Sequence, residues 1–250
     1  YETQREQPFR DLLALLTPRL GGRVVDIGCG TGKLTAALHG ALAARETVGI
    51  DPSPAMLEKA QALVASGAPA ASGLTFRAGT VEDALTAAPW DAVVSNAALH
   101  WVPDHEALFP RLAASLAPGG QLAVQMPWNE GQPITTALDA VLAEEPFVTT
   151  LGGFRRARHV LSLEAYATLL RAAGLRGIRL RMEVYVHELA GPEDAVTWVR
   201  GGLLTQLEGP LGPELYAELV RRYTTRLLPS FPPQRPFAFL FRRIFVYGVR

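Results

Sequence analysis

Two acids and three closely spaced glycines carry the densest chemistry in this chain. Asp26 lies in the apolar run Val24-Val25-Asp26-Ile27, and Gly28, Gly30 and Gly32 follow at alternate positions. Next comes a segment with Leu34, Leu38 and Leu42 at helical spacing. A short buried strand, a glycine turn and a helix present backbone N–H groups to a ligand that must come close. The spacing Gly-x-Gly-x-Gly behind an acid differs from the Gly-x-Gly-x-x-Gly of dinucleotide binders, which disfavours a nicotinamide enzyme. Asp51-Pro52 closes the next apolar run, about 20 residues further on. A carboxylate there can accept both hydroxyls of a ribose through charge-assisted bonds. The other reading is an ordinary strand-end turn acid. Cys29 sits between two of the glycines. No local His or Asp is placed to activate it, so packing is its expected role.

Elements that would position these residues alternate along residues 1–127. Strands are expected at 24–27, 47–50, 74–78, 91–95 and 121–126, each short, apolar or β-branched and followed by turn residues. Ser53 and Pro54 can open a helix with Leu57, Ala60 and Val64 on one face. Asp104 can cap another, with Leu108, Leu112 and Leu116 inward and Pro118-Gly119-Gly120 as its stop. Repeated β-α units imply a parallel α/β sheet with ligands at the carboxyl ends of its strands. Residues 128–250 are mainly helical, with helices expected near 135–144, 163–173, 192–207 and 213–227 and strands at 178–189 and 237–249.

The chain of 250 residues is 48% hydrophobic, enough for one large domain or a domain with an insertion. It has 24 basic and 24 acidic residues, and this balance argues against a nucleic-acid partner. Residues 1–127 hold nine basic and twelve acidic side chains, whereas 128–250 hold fifteen and twelve, a partition that suits an anionic small-molecule substrate. A solvated arginine-rich face is the competing explanation. One cysteine permits no intrachain disulfide, no apolar run reaches membrane-spanning length, and the first ten residues are too polar for a secretion signal. A cytoplasmic protein is expected, and the absence of an initial Met fits a truncated start.

The Asp26–Gly32 pattern resembles the first motif of class I methyltransferases. Ser53–Ala60 (SPAMLEKA), the NAALHWVPDHEALFP stretch from Asn96 and the LAVQMPWN stretch from Leu122 are similar to the trans-aconitate methyltransferase family, over essentially the whole chain. This resemblance implies a Rossmann-like, seven-stranded, mostly parallel sheet with an antiparallel last strand. Residues 1–127 would form the cofactor-binding core, and 128–250 a helical cap inserted beside the last two strands. It implies S-adenosyl-L-methionine as cofactor, no metal, and esterification of a carboxylate. Asp26, Gly28, Cys29, Gly30, Thr31, Gly32, Asp51 and Pro52 would then hold the cofactor. Met56 and Val81 would flank its adenine, or merely pack. Thr80 stands where an Asp often accepts from the adenine amine, with Glu82 or Asp83 as substitutes. Asn96 and Ala97 would line the methionine end, and His100 and Trp101 would face the methyl group. In the cap, Trp128, Tyr185, His187, Trp198 and Arg200 would contact the substrate. Trp101 and Trp198 have core packing as their alternative, and His187 a surface strand end. Leu204 stands where the family pattern carries an arginine. Other acceptors (hydroxyl, amine, carbon) and a non-catalytic cofactor sensor stay open at this point.

Overall fold

The computed structural model describes residues 2–65 and 72–250. The chain divides into two compact units. The first comprises residues 1–127, Arg158–Glu183 and Arg243–Arg250, and the second Trp128–Ala157 and Val184–Arg242.

The first unit opens with α1 (Glu2–Leu13), a helix the sequence patterning had not signalled. Then β1 (Arg23–Ile27), α2 (Lys33–Leu42), β2 (Glu46–Asp51), α3 (Pro54–Ala65) and β3 (Leu74–Ala78) follow in turn. They lead to α4 (Val81–Thr86), β4 (Trp90–Asn96), α5 (His105–Ala114) and β5 (Leu116–Pro127). The first two strands are near-continuously buried: Val24 to Ile27 and Thr47 to Asp51 are all buried, as parallel strands covered on both faces require. Helix starts follow local chemistry. Gly32 takes a left-handed conformation at the head of α2, Pro54 fixes φ at the first position of α3, and the Asp104 carboxylate accepts the Ala107 amide at 3.1 Å.

The expected stop of α5 is corrected. The helix ends at Ala114, and buried Leu116 already belongs to β5, paired with Trp90. Pro118-Gly119-Gly120 forms a bulge within the strand, since the next pair is Ala92 with Gln121. A Cβ on Gly120 would come within 2.8 Å of the Trp90 carbonyl, so only glycine fits the bulge.

All seven strands make one sheet, in the order β3-β2-β1-β4-β5-β7-β6, where β6 is Arg176–Leu189 and β7 Phe237–Val249. Strands β1 to β5 pair in parallel, and β7 runs antiparallel to β5. This is the Rossmann-like arrangement of class I methyltransferases, with its topological switch between β1 and β4. Ser95 in β4 donates to the Ile27 carbonyl at 2.8 Å and ties the two strand ends together there.

The second unit holds α6 (Pro133–Leu142), α7 (Phe147–Thr150), α9 (Asp194–Val199) and α10 (Thr205–Leu227), with parts of β6 and β7; α8 (Leu163–Ala172) belongs to the first. The single helix expected over 192–207 is instead α9, a π-helical turn at Arg200–Leu204 and the start of α10. Gly212 (φ 68°, ψ 171°) breaks α10 internally. A core of Phe147, Trp198, Leu219, Tyr223, Phe237 and Phe239 closes this unit, and the Tyr223 hydroxyl donates to the Ile134 carbonyl at 3.0 Å.

Candidate active site

The glycine loop is a closed hydrogen-bonded turn. Gly28 and Cys29 both donate to the Ile50 carbonyl, at 2.8 and 3.1 Å, and Gly32 donates to the Cys29 carbonyl at 3.1 Å. Gly30 donates to Asp51 Oδ2 at 2.9 Å. The expectation of bare amides is therefore corrected at these four positions: the loop satisfies its own donors. Its glycines serve conformation and close approach instead. Gly28, Gly30 and Gly32 have φ of 78°, 56° and 78°. A Cβ on Gly28 would lie 2.1 Å from that of Ala98, and one on Gly32 2.5 Å from the Phe76 ring, whereas a Cβ on Gly30 would meet nothing within 4 Å. Thr31 is exposed beside this open position.

Asp51 ends β2, nearly buried, with Oδ2 on Gly30 and Oδ1 accepting the Ser53 amide at 2.9 Å. Each carboxylate oxygen keeps a further lone pair for a diol. Pro52 behind it is exposed. Asp26 is buried below the loop and accepts the Thr35 hydroxyl at 2.6 Å. Burial pushes its pKa up to about 6, with the Asp51 charge adding to the rise and the Thr35 bond opposing it. Burial, with Asp26 and Asp51 nearby, raises the Cys29 thiol to about 12, and its side chain packs among Leu57, Ala60, Leu74 and Phe76. Cys29 is an inert packing residue whose sulfur is no nucleophile.

At the end of β3, Thr80 caps α4. Its hydroxyl accepts the Glu82 amide at 3.3 Å, while the Asp83 carboxylate accepts the Thr80 amide at 2.7 Å. Glu82 is engaged by Arg111. Val81 is buried behind the cap, and Met56 on α3 is 41% exposed, which removes core packing as an explanation for it.

A further set of polar groups lies after β4. Asn96 ends the strand. Ala97 adopts φ 54°, unusual for a residue with a Cβ, and donates to the Gln125 carbonyl at 2.9 Å. This turn brings Ala98 against Gly28. A 3-10 turn, Leu99–Trp101, follows. Trp101 is 55% exposed, so it is no core aromatic, and its ring lies 4.7 Å from that of His100. His100 Nδ1 and Asn96 Oδ1 are buried without a hydrogen bond. Burial, aided by the Arg243 and His105 charges, lowers the His100 pKa to about 4, so the ring is neutral at physiological pH.

Several residues here escaped sequence reasoning. His105 is buried between Tyr166, whose hydroxyl lies 2.5 Å from Nδ1, and the Leu99 carbonyl, 3.0 Å from Nε2. It pins the turn that carries His100. Gln125 on β5 pairs in register with Asn96, and its Oε1 accepts Arg243 Nη1 at 3.1 Å. His105 and Gln125 lie inside the quoted stretches from Asn96 and Leu122, but their partners lie far away in sequence. Only the pairing of β5 with β7 brings Gln125 and Arg243 together, and Tyr166 comes from a helix 61 residues downstream of His105.

The five expected substrate contacts all lie in the second unit. His187 and Trp198 stack with ring centroids 4.2 Å apart, both buried, which excludes the surface reading of His187 and places Trp198 within the core of that unit. Arg200 is exposed, with its guanidinium 5.6 Å from the Tyr216 ring centroid. Trp128 is half-buried and donates its amide to the Arg242 carbonyl at 3.0 Å, and Tyr185 on β6 is half-buried. Among the described residues, no three His, Cys, Asp or Glu side chains gather as a metal site, and no helix is long and apolar enough to cross a membrane.

Known proteins give this geometry a family. A sequence profile described as a methyltransferase domain matches residues 1–180. A trans-aconitate 2-methyltransferase of Methylobacterium nodulans is 37% identical over 235 residues, 94% of this chain and 88% of that one. One from Deinococcus radiodurans is 37% identical over 252 residues, covering 98% and 94%. Among solved structures, YcgJ from Bacillus subtilis matches with a TM-score of 0.66 at 16% identity over 98% of both chains. Phosphoethanolamine N-methyltransferase 2 from Haemonchus contortus, solved with S-adenosyl-L-methionine, matches with a TM-score of 0.56 at 19% identity, over 99% of this chain and 56% of that one. These two distant matches speak for the fold, and the near relatives for the family. The chain belongs to the trans-aconitate 2-methyltransferase family of class I methyltransferases, whose cofactor is S-adenosyl-L-methionine.

Proposed function

We propose that this enzyme esterifies one carboxylate of a small di- or tricarboxylic acid, such as trans-aconitate, by in-line methyl transfer without a metal. The observation that carries the reading is the state of His100. An imidazole with a pKa near 4 is a weak proton acceptor, poorly matched to deprotonating an alcohol or an ammonium at neutral pH. A carboxylic acid, with a pKa of about 4, arrives already ionised. Attack by that carboxylate moves no proton, so neither a base nor an acid is called for.

The residues around the glycine loop fit S-adenosyl-L-methionine. Asp51 has lone pairs to spare for a ribose diol, Gly30 has open space above it, and Asn96 Oδ1 is a buried acceptor in want of a cationic donor. When bound, the cofactor supplies an electrophilic methyl group. Asp51 and the open face of the loop at Gly30 would hold it at the switch point of the sheet, with Thr31 and Pro52 at the rim and Asp26, Gly28, Cys29 and Gly32 shaping the loop from behind. Met56, Val81 and Thr80 bound the adenine side, and Asn96 and Ala97 the methionine side. His100 and Trp101 face the reacting carboxylate and keep water from it, since alignment and desolvation are what such a displacement needs.

The test is release of S-adenosylhomocysteine, with mass-spectrometric detection of the methyl ester, across a panel of mono-, di- and tricarboxylic acids. Esters of the acids at neutral pH are the expected products. Turnover only with alcohols or amines would replace this reading.

A further inference from the structure

Gln125 is fully buried at the carboxyl end of β5, yet its side-chain Nε2 donates to nothing. Its other end is fixed. Oε1 accepts Arg243 Nη1 at 3.1 Å, and because a guanidinium only donates, the amide cannot be turned the other way round. An idle buried donor costs on the order of 1–3 kcal/mol, so its presence calls for a partner that the chain itself does not supply. The pairs Gln125 with Phe245 and Pro127 with Arg243 put Gln125 and Arg243 on the same face of the sheet, one pleat apart. His100 adds a buried ring nitrogen, Nδ1, without a partner. An amide N–H and a guanidinium side by side make a donor pair carrying one positive charge, the complement of a single carboxylate.

We propose that Gln125 and Arg243 form a subsite for a carboxylate of the methyl acceptor that is not itself methylated, and so select di- and tricarboxylic acids over monocarboxylic ones. The proposal rests on the carboxyl-methylation reading and deepens it. The reason for assigning the spectator carboxylate is electrostatic. The reacting carboxylate loses its charge as the ester forms, so an arginine clamped on it would bind the ground state better than the transition state and slow the reaction. A carboxylate that stays charged throughout is held equally well at every stage, and an arginine there orients the acceptor without that penalty.

The experiment measures, by calorimetry, binding of trans-aconitate and of the monocarboxylate crotonate to the S-adenosylhomocysteine complex of the wild type, Arg243→Met, Arg243→Lys and Gln125→Met. Steady-state kcat and KM are measured alongside. Trans-aconitate is expected to bind Arg243→Met 30- to 100-fold more weakly and Gln125→Met about tenfold more weakly, with Arg243→Lys between the wild type and Arg243→Met. Crotonate affinity and S-adenosylhomocysteine affinity should stay within twofold, which also reports that each variant is folded. The loss should fall on KM more than on kcat. Should Arg243→Met fail to bind S-adenosylhomocysteine, the Lys and Gln125 variants decide the matter by the same criteria. Wild-type affinity for trans-aconitate in the folded variants overturns the subsite alone. Failure of the wild type to bind or methylate any acid in the panel overturns the carboxyl reading, and the subsite with it.

Discussion

Asp51 Oδ2 accepts the Gly30 amide at 2.9 Å, so the acid ending β2 and the turn following β1 are built as one piece. Exchanging Asp51 for Asn removes the charge and turns one acceptor into a donor that faces another donor, either at Gly30 or at Ser53. Asp51→Asn should weaken S-adenosylhomocysteine binding by about 10- to 100-fold, the scale of one or two charge-assisted bonds. Titration calorimetry reads this directly, and unchanged affinity would overturn the proposal that Asp51 holds the ribose.

Two glycines of the same turn should respond very differently to alanine. Gly28→Ala meets both a positive φ and a Cβ 2.1 Å from Ala98, in a place where β1 and β4 cannot part. A loss of about 3 kcal/mol or more is expected, often with no soluble protein. Gly30→Ala meets open space, so only the left-handed backbone counts, at about 1–2 kcal/mol. Urea denaturation midpoints distinguish the two, and equal losses would mean that packing around Ala98 yields easily.

Acid dependence of stability has two opposed contributors. Asp26 titrates at about 6 instead of 3.8, so the fold favours its protonated form. Its contribution is complete below pH 3.8 and is lost as the pH rises through about 6, an effect on the order of 3 kcal/mol. His100 runs the other way. With its pKa lowered from 6.5 to about 4, the stability it brings is present above pH 6.5 and is lost as the pH falls toward 4. In the wild type the two slopes largely cancel between pH 4 and 6. Asp26→Asn should unmask the His100 slope, giving a protein more stable than the wild type at pH 7 and increasingly labile toward pH 4. Chemical denaturation at pH 4.5, 5.5 and 7 checks the sign. A flat profile in the variant would mean that His100 is not held neutral.

The rate should ignore the usual histidine range. With His100 neutral above about pH 5, kcat is expected to be level from about pH 5.5 to 8. His100→Gln should lower it at least tenfold without changing the shape of the curve. An inflection near 6.5 that disappears in the variant would make His100 a base and favour a hydroxyl acceptor. Trp101→Ala should also lower kcat while leaving the melting temperature within about 2 °C, because over half of that side chain is already in water.

The sheet was legible because its strands are short apolar runs bounded by turn residues, and because Gly28, Gly30 and Asp51 sit at strand ends, where their types have few other uses. Residues such as α1 were not, since that segment is polar and carries a proline at Pro8, and its placement depends on tertiary partners, among them the Lys33–Glu6 ion pair at 2.6 Å. The helix expected to run unbroken through Arg200 hid a π turn, because Gly201-Gly202 looks in one dimension like a mere weakening of helical propensity. Gln125 and Arg243 were invisible for a different reason. Each reads as a polar residue in a strand, and only the antiparallel register 118 residues apart makes them partners.

That same register has a practical consequence for dissecting the molecule. Strand β7 returns from the far end of the chain to pair with β5 at seven positions, Gln121 through Pro127. A fragment ending at residue 127 would therefore expose as its new edge an unpaired strand whose residues 120–126 are all buried in the whole chain, an invitation to aggregate. Exchanging the second unit for another calls for replacing two internal segments while keeping Arg243–Arg250 in place, and a clean cut after Pro127 is the wrong place to start.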